Sequence, residues 1–439
     1  MSRSPSSAVS APVVQIEAIE PAARSERLHA NLERPGADDP ALGFCVPVSG
    51  WALAPDGGNV TVEIRQGHQV LRVPRSVERP DIASAFPAVS GAERSGFSLM
   101  LDALKLPPAF ELQVNGTASE THEELPIAHV RGSRRPFEPQ PTKGPAPLMV
   151  TTLGRSGSTL LLTLLSQHPQ VAAFRPDTYD SRPFAYQLDA AIAMASPASR
   201  MRLLDSGVQG EAWWLGRASM GPDELLRIDE PLRELLLGAP VERLLRSAVD
   251  QAATFAGELG TAQEQTDVRY AAEKCGPAHL TRLMRELCAD GREIFLVRDF
   301  RDVIASMLAF NAKRGYDAFG REHVDSDEQF VQWQAGIAAA LSAGWRERRE
   351  GALLVRYEEL VADVPAALAR ILDFLELDSS PSLVSGIVDR AEAQLDRIQH
   401  RTVPDASASS GRWQKDLPPA LKELANEAFA GPLQELGYS

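Results

Sequence analysis

The chain has 439 residues, 44% of them hydrophobic and 24% charged, values of a folded protein long enough for two domains. Its net charge of −14 excludes a nucleic-acid binder, which needs a basic face, and disfavours docking on an anionic membrane, although a local basic patch can still hold a small anion. Cys45, Cys275 and Cys288 are the only cysteines and have no paired spacing, so neither a disulfide framework nor a zinc site is implied, and they read as buried small hydrophobes.

Residues 1–40 are rich in Ser, Pro, Ala and charge without a sustained period, which predicts a disordered lead-in with a short helix through Ala22–Leu32. The first residues lack the apolar core of a signal peptide and no run reaches the length of a membrane span, so the cytoplasm is expected. Residues 41–130 have a β texture, with strands over Val48–Leu53, Asn59–Arg65, Val70–Val73, Gly96–Leu101 and Phe110–Val114 and turn signals at Pro55–Gly58 and Asn115-Gly116. Short strands at this spacing predict a small β-sandwich, with Trp51 and Phe97 in its core rather than as sugar platforms. Residues 131–146 read as a Pro-rich tether with a solvated basic cluster.

Beyond the tether, strands and helices alternate. Strands are expected at Leu148–Leu153, Val171–Phe174, Val268–Ala272, Glu293–Val297 and Leu353–Tyr357, with helices at Ser158–Gln167, Ala278–Ala289, Asp302–Phe310 and Pro365–Leu375. Apolar strands separated by helices predict an α/β domain over residues 147–439, a parallel sheet flanked on both faces by helices. Residues 182–264 carry helical patterning throughout and read as a helical insertion in that domain.

The segment Pro147–Pro169 carries the first chemical signal. A short apolar strand runs into Gly154-Arg155-Ser156-Gly157-Ser158-Thr159 and then into a Leu-rich helix ended by His168-Pro169. Amides at such a strand-to-helix turn point at one spot, and the helix dipole favours negative charge there, so a phosphate or sulfate is expected. The common nucleotide loop requires a lysine after its second glycine. Here Ser158 follows Gly157 and the cation, Arg155, lies on the other side of it. An arginine at a helix N-terminus opposes the dipole, a placement that a bound anion explains.

The second signal is Arg298-Asp299-Phe300-Arg301-Asp302 with Ser306, at the carboxyl end of a strand and into the next helix. An arginine fork with a hydroxyl suits a terminal phosphate. Asp302 is placed to cap that helix, and Asp299 and Arg301 read as a surface ion pair.

With these segments on view the chain resembles the sulfotransferases that use 3′-phosphoadenosine 5′-phosphosulfate (PAPS). Gly154–Leu161 with His168-Pro169 resembles that family's 5′-phosphosulfate loop, and Val297-Arg298-Asp299 with Ser306 its 3′-phosphate motif. Ala272-Glu273-Lys274 with Pro277 is similar to its Glu-Lys-Thr-Pro element, Val355–Leu360 to its Arg-Tyr-Glu-Asp-Leu strand end, and Ser410-Gly411-Arg412-Trp413 to its Gly-Arg-Trp loop. The resemblance runs from about residue 147 to the C-terminus and implies a P-loop-like sheet. It also implies a soluble enzyme with PAPS as co-substrate, no required metal, and a small-molecule or glycan hydroxyl as acceptor. On it, Arg155, Ser156, Gly157, Ser158 and Thr159 hold the 5′-phosphosulfate, and Arg298, Ser306, Ser410, Gly411 and Arg412 the rest of the nucleotide. Lys274 neutralises the transferring group, or binds an acidic substrate. Related enzymes carry a glutamate beyond the His-Pro pair as base; here Arg175-Pro176 occupies that region, so Asp177 is the first choice and Glu273 the second. His168 reads as a helix-ending residue, and Trp213-Trp214 as packing or as a stacking surface for the acceptor.

Two other readings compete. A P-loop small-molecule kinase requires the lysine that this loop lacks. A catalytically silent glycan-binding or scaffolding protein does not require Arg155, Arg298 and Ser306 together.

Overall fold

The computed structural model describes residues 13–23, 25–36, 39, 43–67, 69–73, 75–118, 123–174, 181–195, 227, 229, 239–277, 279–395 and 409–438. The described residues of Met1–Phe137 and Asp189–Arg246 form one compact unit, and those of Glu138–Leu188 and Ser247–Ser439 another.

The first unit contains strands β1 Val14–Pro21, β2 His29–Arg34, β3 Cys45–Leu53, β4 Val60–Gln66, β5 Gln69–Val73, β6 Gly96–Asp102, β7 Ala109–Ala118 and β8 Glu124–Arg134, with a short helix α1 Pro80–Ala85. They form two antiparallel sheets, ordered β1-β8-β7-β4-β5 and β2-β3-β6. The expected sandwich core is present: Val48, Val62, Phe97, Val114 and Val130 are almost wholly buried.

Three expectations fail in this unit. Residues 1–40 contain β1 and β2, and the stretch predicted as a short helix runs instead into β2. β1 is an edge strand paired only with β8, and a bulge between Ile16 and Ala18 breaks its period of two, which hides it from pattern reading. The tether begins inside β8, and Arg134 is 2% exposed with its Nε donating to the Leu106 carbonyl at 2.8 Å, so it is a structural arginine rather than a solvated one. Asn115-Gly116 lies within β7, beside a bulge, instead of turning the chain. A Cβ on Gly116 would stand 2.7 Å from the Leu28 side chain, so close packing is what the glycine serves.

The second unit is built on β9 Ala146–Thr152, β10 Val171–Ala172, β11 Tyr270–Cys275, β12 Arg292–Val297 and β13 Ala352–Arg356, all parallel and ordered β10-β11-β9-β12-β13. Among the described residues the α-helices that follow α1 are α2 Ser158–Ser166, α3 Pro183–Ala195, α4 Ala239–Ala262, α5 His279–Leu287, α6 Phe300–Arg314, α7 Asp327–Arg348, α8 Tyr357–Ala362, α9 Val364–Phe374, α10 Pro381–Leu395, α11 Trp413–Asp416 and α12 Pro419–Glu435. α3 and α4 lie in the predicted helical insertion, and Trp213-Trp214 falls outside the described residues.

Both sheet faces are covered, as continuous apolar strands require. Ile294 and Leu296 pack with Leu161 and Leu165 of α2, Leu368 and Ile371 of α9, and Ile387 of α10. The alternate residues Phe295 and Val297 pack with Val303 and Ile304 of α6, Phe330 and Leu341 of α7, and Phe429 of α12. β9 lies centrally, with β10 and β11 to one side and β12 and β13 to the other, so the strand order reverses at its carboxyl end. That is where an open α/β sheet forms its ligand crevice. Among the described residues no helix is long and apolar enough to cross a membrane.

Candidate active site

The loop from β9 to α2 is shaped by two residues in the left-handed region, Arg155 at φ 65° and Gly157 at φ 93°. At Gly157 space is limiting as well, because a Cβ there would stand 2.3 Å from the Tyr357 ring. The loop therefore lies against Tyr357, and only glycine fits. Gly157 caps α2 without a side chain, so the first amides of the helix have no side-chain acceptor at the cap. Ser156 is 1% exposed, and its hydroxyl has no hydrogen-bond partner among the described residues.

β12 brings Arg298 to this loop. Arg298 is 4% exposed; its guanidinium donates to the Arg155 carbonyl at 3.0 Å and the Ser409 carbonyl at 2.5 Å, and lies 4.8 Å from the Tyr357 ring centroid. Its Nε is buried with no partner among the described residues. Two turns along α6, the buried Ser306 accepts a hydrogen bond from Arg155 Nε at 3.4 Å. The Arg155 guanidinium also lies 4.7 Å from the Phe310 ring. Burial, then the positive charge of Arg298, with smaller contributions from Arg412 and Arg314, pushes Arg155 down to about 10.

The Gly-Arg-Trp segment joins the same place through Asp302. Its carboxylate accepts from the Gly411 amide at 2.7 Å and the Trp413 amide at 2.8 Å, and burial raises it above the usual carboxylate range. Asp302 is therefore not the cap of α6. Asp299 is, accepting from the Arg301 amide at 2.9 Å while pairing with the Arg301 guanidinium at 2.7 Å. The cap falls on Asp299 because the chain leaves the strand one turn earlier than the polar pattern implies, which frees Asp302 to face the C-terminal segment. Arg412 is 9% exposed and pairs with Asp416 at 2.6 Å, Ser410 is exposed, and Ser409 donates to the Tyr357 hydroxyl at 3.0 Å.

On the other flank, β11 carries Glu273 and Lys274, with Lys274 level with Val150 of β9. Lys274 lines a cleft of about 350 Å³ together with Arg155, Ser158, Thr159, Phe310 and Phe319. Glu273 is 2% exposed and accepts from the Phe184 amide at 3.0 Å and the Ala185 amide at 2.9 Å, at the start of α3. Burial pushes it up to about 7 against those two hydrogen bonds. Both of its oxygens are engaged with the main chain, so Glu273 anchors a helix and is not the acceptor-facing base. Asp177 and Arg175 lie outside the described residues.

His168 is fully buried, accepting at Nδ1 from the Gln170 amide at 3.1 Å, with Nε2 3.3 Å from the Asp378 carbonyl. Burial lowers its pKa, so it is a neutral residue of the helix end. Tyr357, which supports both Gly157 and Arg298, was legible only as part of a matching strand end. Phe319 sits at φ 64°, a backbone state no sequence pattern marks for phenylalanine, and Gln334 Nε2 holds its carbonyl at 2.6 Å.

The sulfotransferase domain of the curacin biosynthetic pathway is 16% identical, with a TM-score of 0.39 over 68% of this chain and 99% of that one. Mouse sulfotransferase SULT7A1 complexed with PAP is 12% identical, with a TM-score of 0.37 over 68% and 86%. Sulfotransferase STF9 from Mycobacterium avium is 16% identical, with a TM-score of 0.35 over 68% and 78%. No curated protein matches the chain. Residues 147–381, more than half of the chain, match the sulfotransferase family, and the chain belongs to that family.

Proposed function

We propose that the protein transfers the sulfuryl group of PAPS to an acceptor hydroxyl, on a carbohydrate or glycoconjugate. The carrying observation is the convergence of Arg155 and Arg298 on the start of α2. Burial, and then like charge, pushes Arg155 down there, and a serine hydroxyl and an arginine Nε stand buried without hydrogen-bond partners among the described residues. Unsatisfied buried donors and mutually repelling cations are relieved by a polyanion. A nucleotide with anionic groups at both its 5′ and 3′ positions fits that set, since donors stand both on the β9–α2 loop and on the β12–α6 turn.

In this reading Arg155 and the amides and hydroxyls of Ser156, Gly157, Ser158 and Thr159 hold the 5′-phosphosulfate. Arg298 and Ser306 hold the 3′-phosphate, with Ser410, Gly411 and Arg412 closing from the C-terminal side. When bound, the donor supplies an activated sulfuryl group, which leaves by in-line displacement with negative charge growing on the bridging oxygen. Arg155 stands to stabilise that charge, and Lys274 stabilises the oxygens of the group in transfer. Asp177, on its position in the sequence, takes the proton of the acceptor hydroxyl onto its carboxylate.

Calorimetry with 3′-phosphoadenosine 5′-phosphate (PAP) and with ATP tests the donor. Wild type is expected to bind PAP far more tightly than ATP. Arg298→Ala is expected to weaken PAP by about 10- to 100-fold, the worth of a charged hydrogen bond, and Ser306→Ala by up to about 10-fold. Tight ATP binding with no response to PAP overturns the reading. Labelled-sulfate transfer to glycans, phenols and lipids tests the acceptor class.

A further inference from the structure

Arg182 is the cation of the cleft that the donor reading leaves unused. It lines the same space as Arg155 and Lys274, and its Nε is buried with no hydrogen-bond partner among the described residues. Its guanidinium lies 5.2 Å from the Tyr186 ring, one turn into α3. Glu273 pins the first amides of α3 to β11, and Lys274 is the next residue of that strand. That buried carboxylate anchors the start of α3 beside Arg182, and its charge also acts on the Arg182 guanidinium.

The sheet order separates this pair from the rest of the basic site. Arg298 and Ser306 issue from β12, whereas Lys274 belongs to β11, and β9 lies between those strands. At about 4.8 Å per strand, the two flanks stand about 10 Å apart. Among the described residues, those lining the cleft include three cations and no carboxylate. Arg155 and the α2 amides face the donor and Lys274 the group in transfer, which leaves Arg182 as the cleft cation that the donor does not engage.

We propose that Arg182, with Lys274, forms an acceptor subsite for a carboxylate or sulfate ester, so that the acceptor is an acidic sugar. The inference rests on the donor reading above and names the acceptor class of the same site. Arg182 supplies a planar fork for a two-oxygen anion, and its contact with Tyr186 limits the rotamer freedom lost on binding. An anion seated there places a neighbouring hydroxyl against the group in transfer.

The test uses the full chain saturated with PAP and three probes on one scaffold: 4-nitrophenyl β-D-glucoside, its 6-sulfate, and 4-nitrophenyl β-D-glucuronide. At least one acidic probe is expected to bind about 10-fold more tightly than the glucoside, and the stronger of the two identifies the anion. In Arg182→Gln that preference falls to within twofold, while Arg182→Lys keeps part of it. The affinity for PAP stays within twofold of wild type in both variants, which a merely unfolded loop would not allow. Equal affinity for the three probes, including no detectable binding of any, overturns the proposal, as does a preference that survives in Arg182→Gln. Failure of wild type to bind PAP at all is the separate failure of the donor reading.

Discussion

Glu273 shows how one residue can be costly and still fixed in place. It is fully buried, and burial holds its pKa at about 7 even though two main-chain amides favour the charged form. A carboxyl group whose folded pKa lies above its unfolded value of 4.5 stabilises the fold below that value, and the contribution is lost as pH rises towards 7. Over that window the loss is on the order of 3 kcal/mol. Glu273→Gln removes the titrating group, so the stability of wild type relative to the variant is expected to be greatest near pH 4.5 and to shrink towards pH 7. Urea unfolding at a series of pH values measures this, and a difference that is flat across the window would show that Glu273 does not titrate there. Gly157 is the contrasting case, since it carries no charge and is held by its φ of 93° and by the Tyr357 ring that a Cβ would strike.

At the scale of elements, legibility followed the number of buried faces. β9, β11 and β12 are apolar runs buried on both sides, and the sequence places each within a few residues; the edge strand β13, only partly buried, is placed within one residue because its own run is apolar. β1, β2 and the end of β8 are edge or half-exposed strands broken by bulges, with polar residues on their open sides, and they read as coil. The candidate site divides in the same way. Arg155, Arg298 and Ser306 sit on elements whose order is written in the chain, and the structure brings them together. The roles of Tyr357, Arg182 and Asp302 depend on which segments the fold brings together, which local pattern does not encode. Asp302 makes that dependence measurable, because its carboxylate alone accepts the Gly411 and Trp413 amides and so connects α6 to the Gly-Arg-Trp segment. Asp302→Ala is expected to weaken PAP by about 10-fold or more, mainly through faster release, with Asp302→Asn intermediate because it retains one acceptor oxygen. Stopped-flow release rates check this, and an unchanged rate in the alanine variant would detach the segment from nucleotide binding.

For the whole molecule, a net charge of −14 surrounds a site in which Arg298, Arg412 and Arg314 each repel Arg155. The acidic remainder sets the far field of the chain, while the local cations act on what enters the crevice. Ligand binding should therefore be felt where those cations are rooted. At 100 times its dissociation constant, PAP stabilises the state that binds it by about 2.7 kcal/mol, enough to slow exchange about 100-fold for amides that open only when the ligand leaves. Hydrogen exchange is expected to show that protection at Ser156–Leu160, at Arg298–Ser306 and at Gly411–Trp413, three segments joined in the structure by Arg298 and Asp302. The eight strands β1–β8 contribute no residue to this set, so their amides are expected to exchange at the same rate with and without PAP. Protection spread through β1–β8, or none at Ser156–Leu160, would place the nucleotide elsewhere. Protection at Ser156–Leu160 and Arg298–Ser306 without Gly411–Trp413 would leave the donor reading standing and remove the C-terminal segment from it.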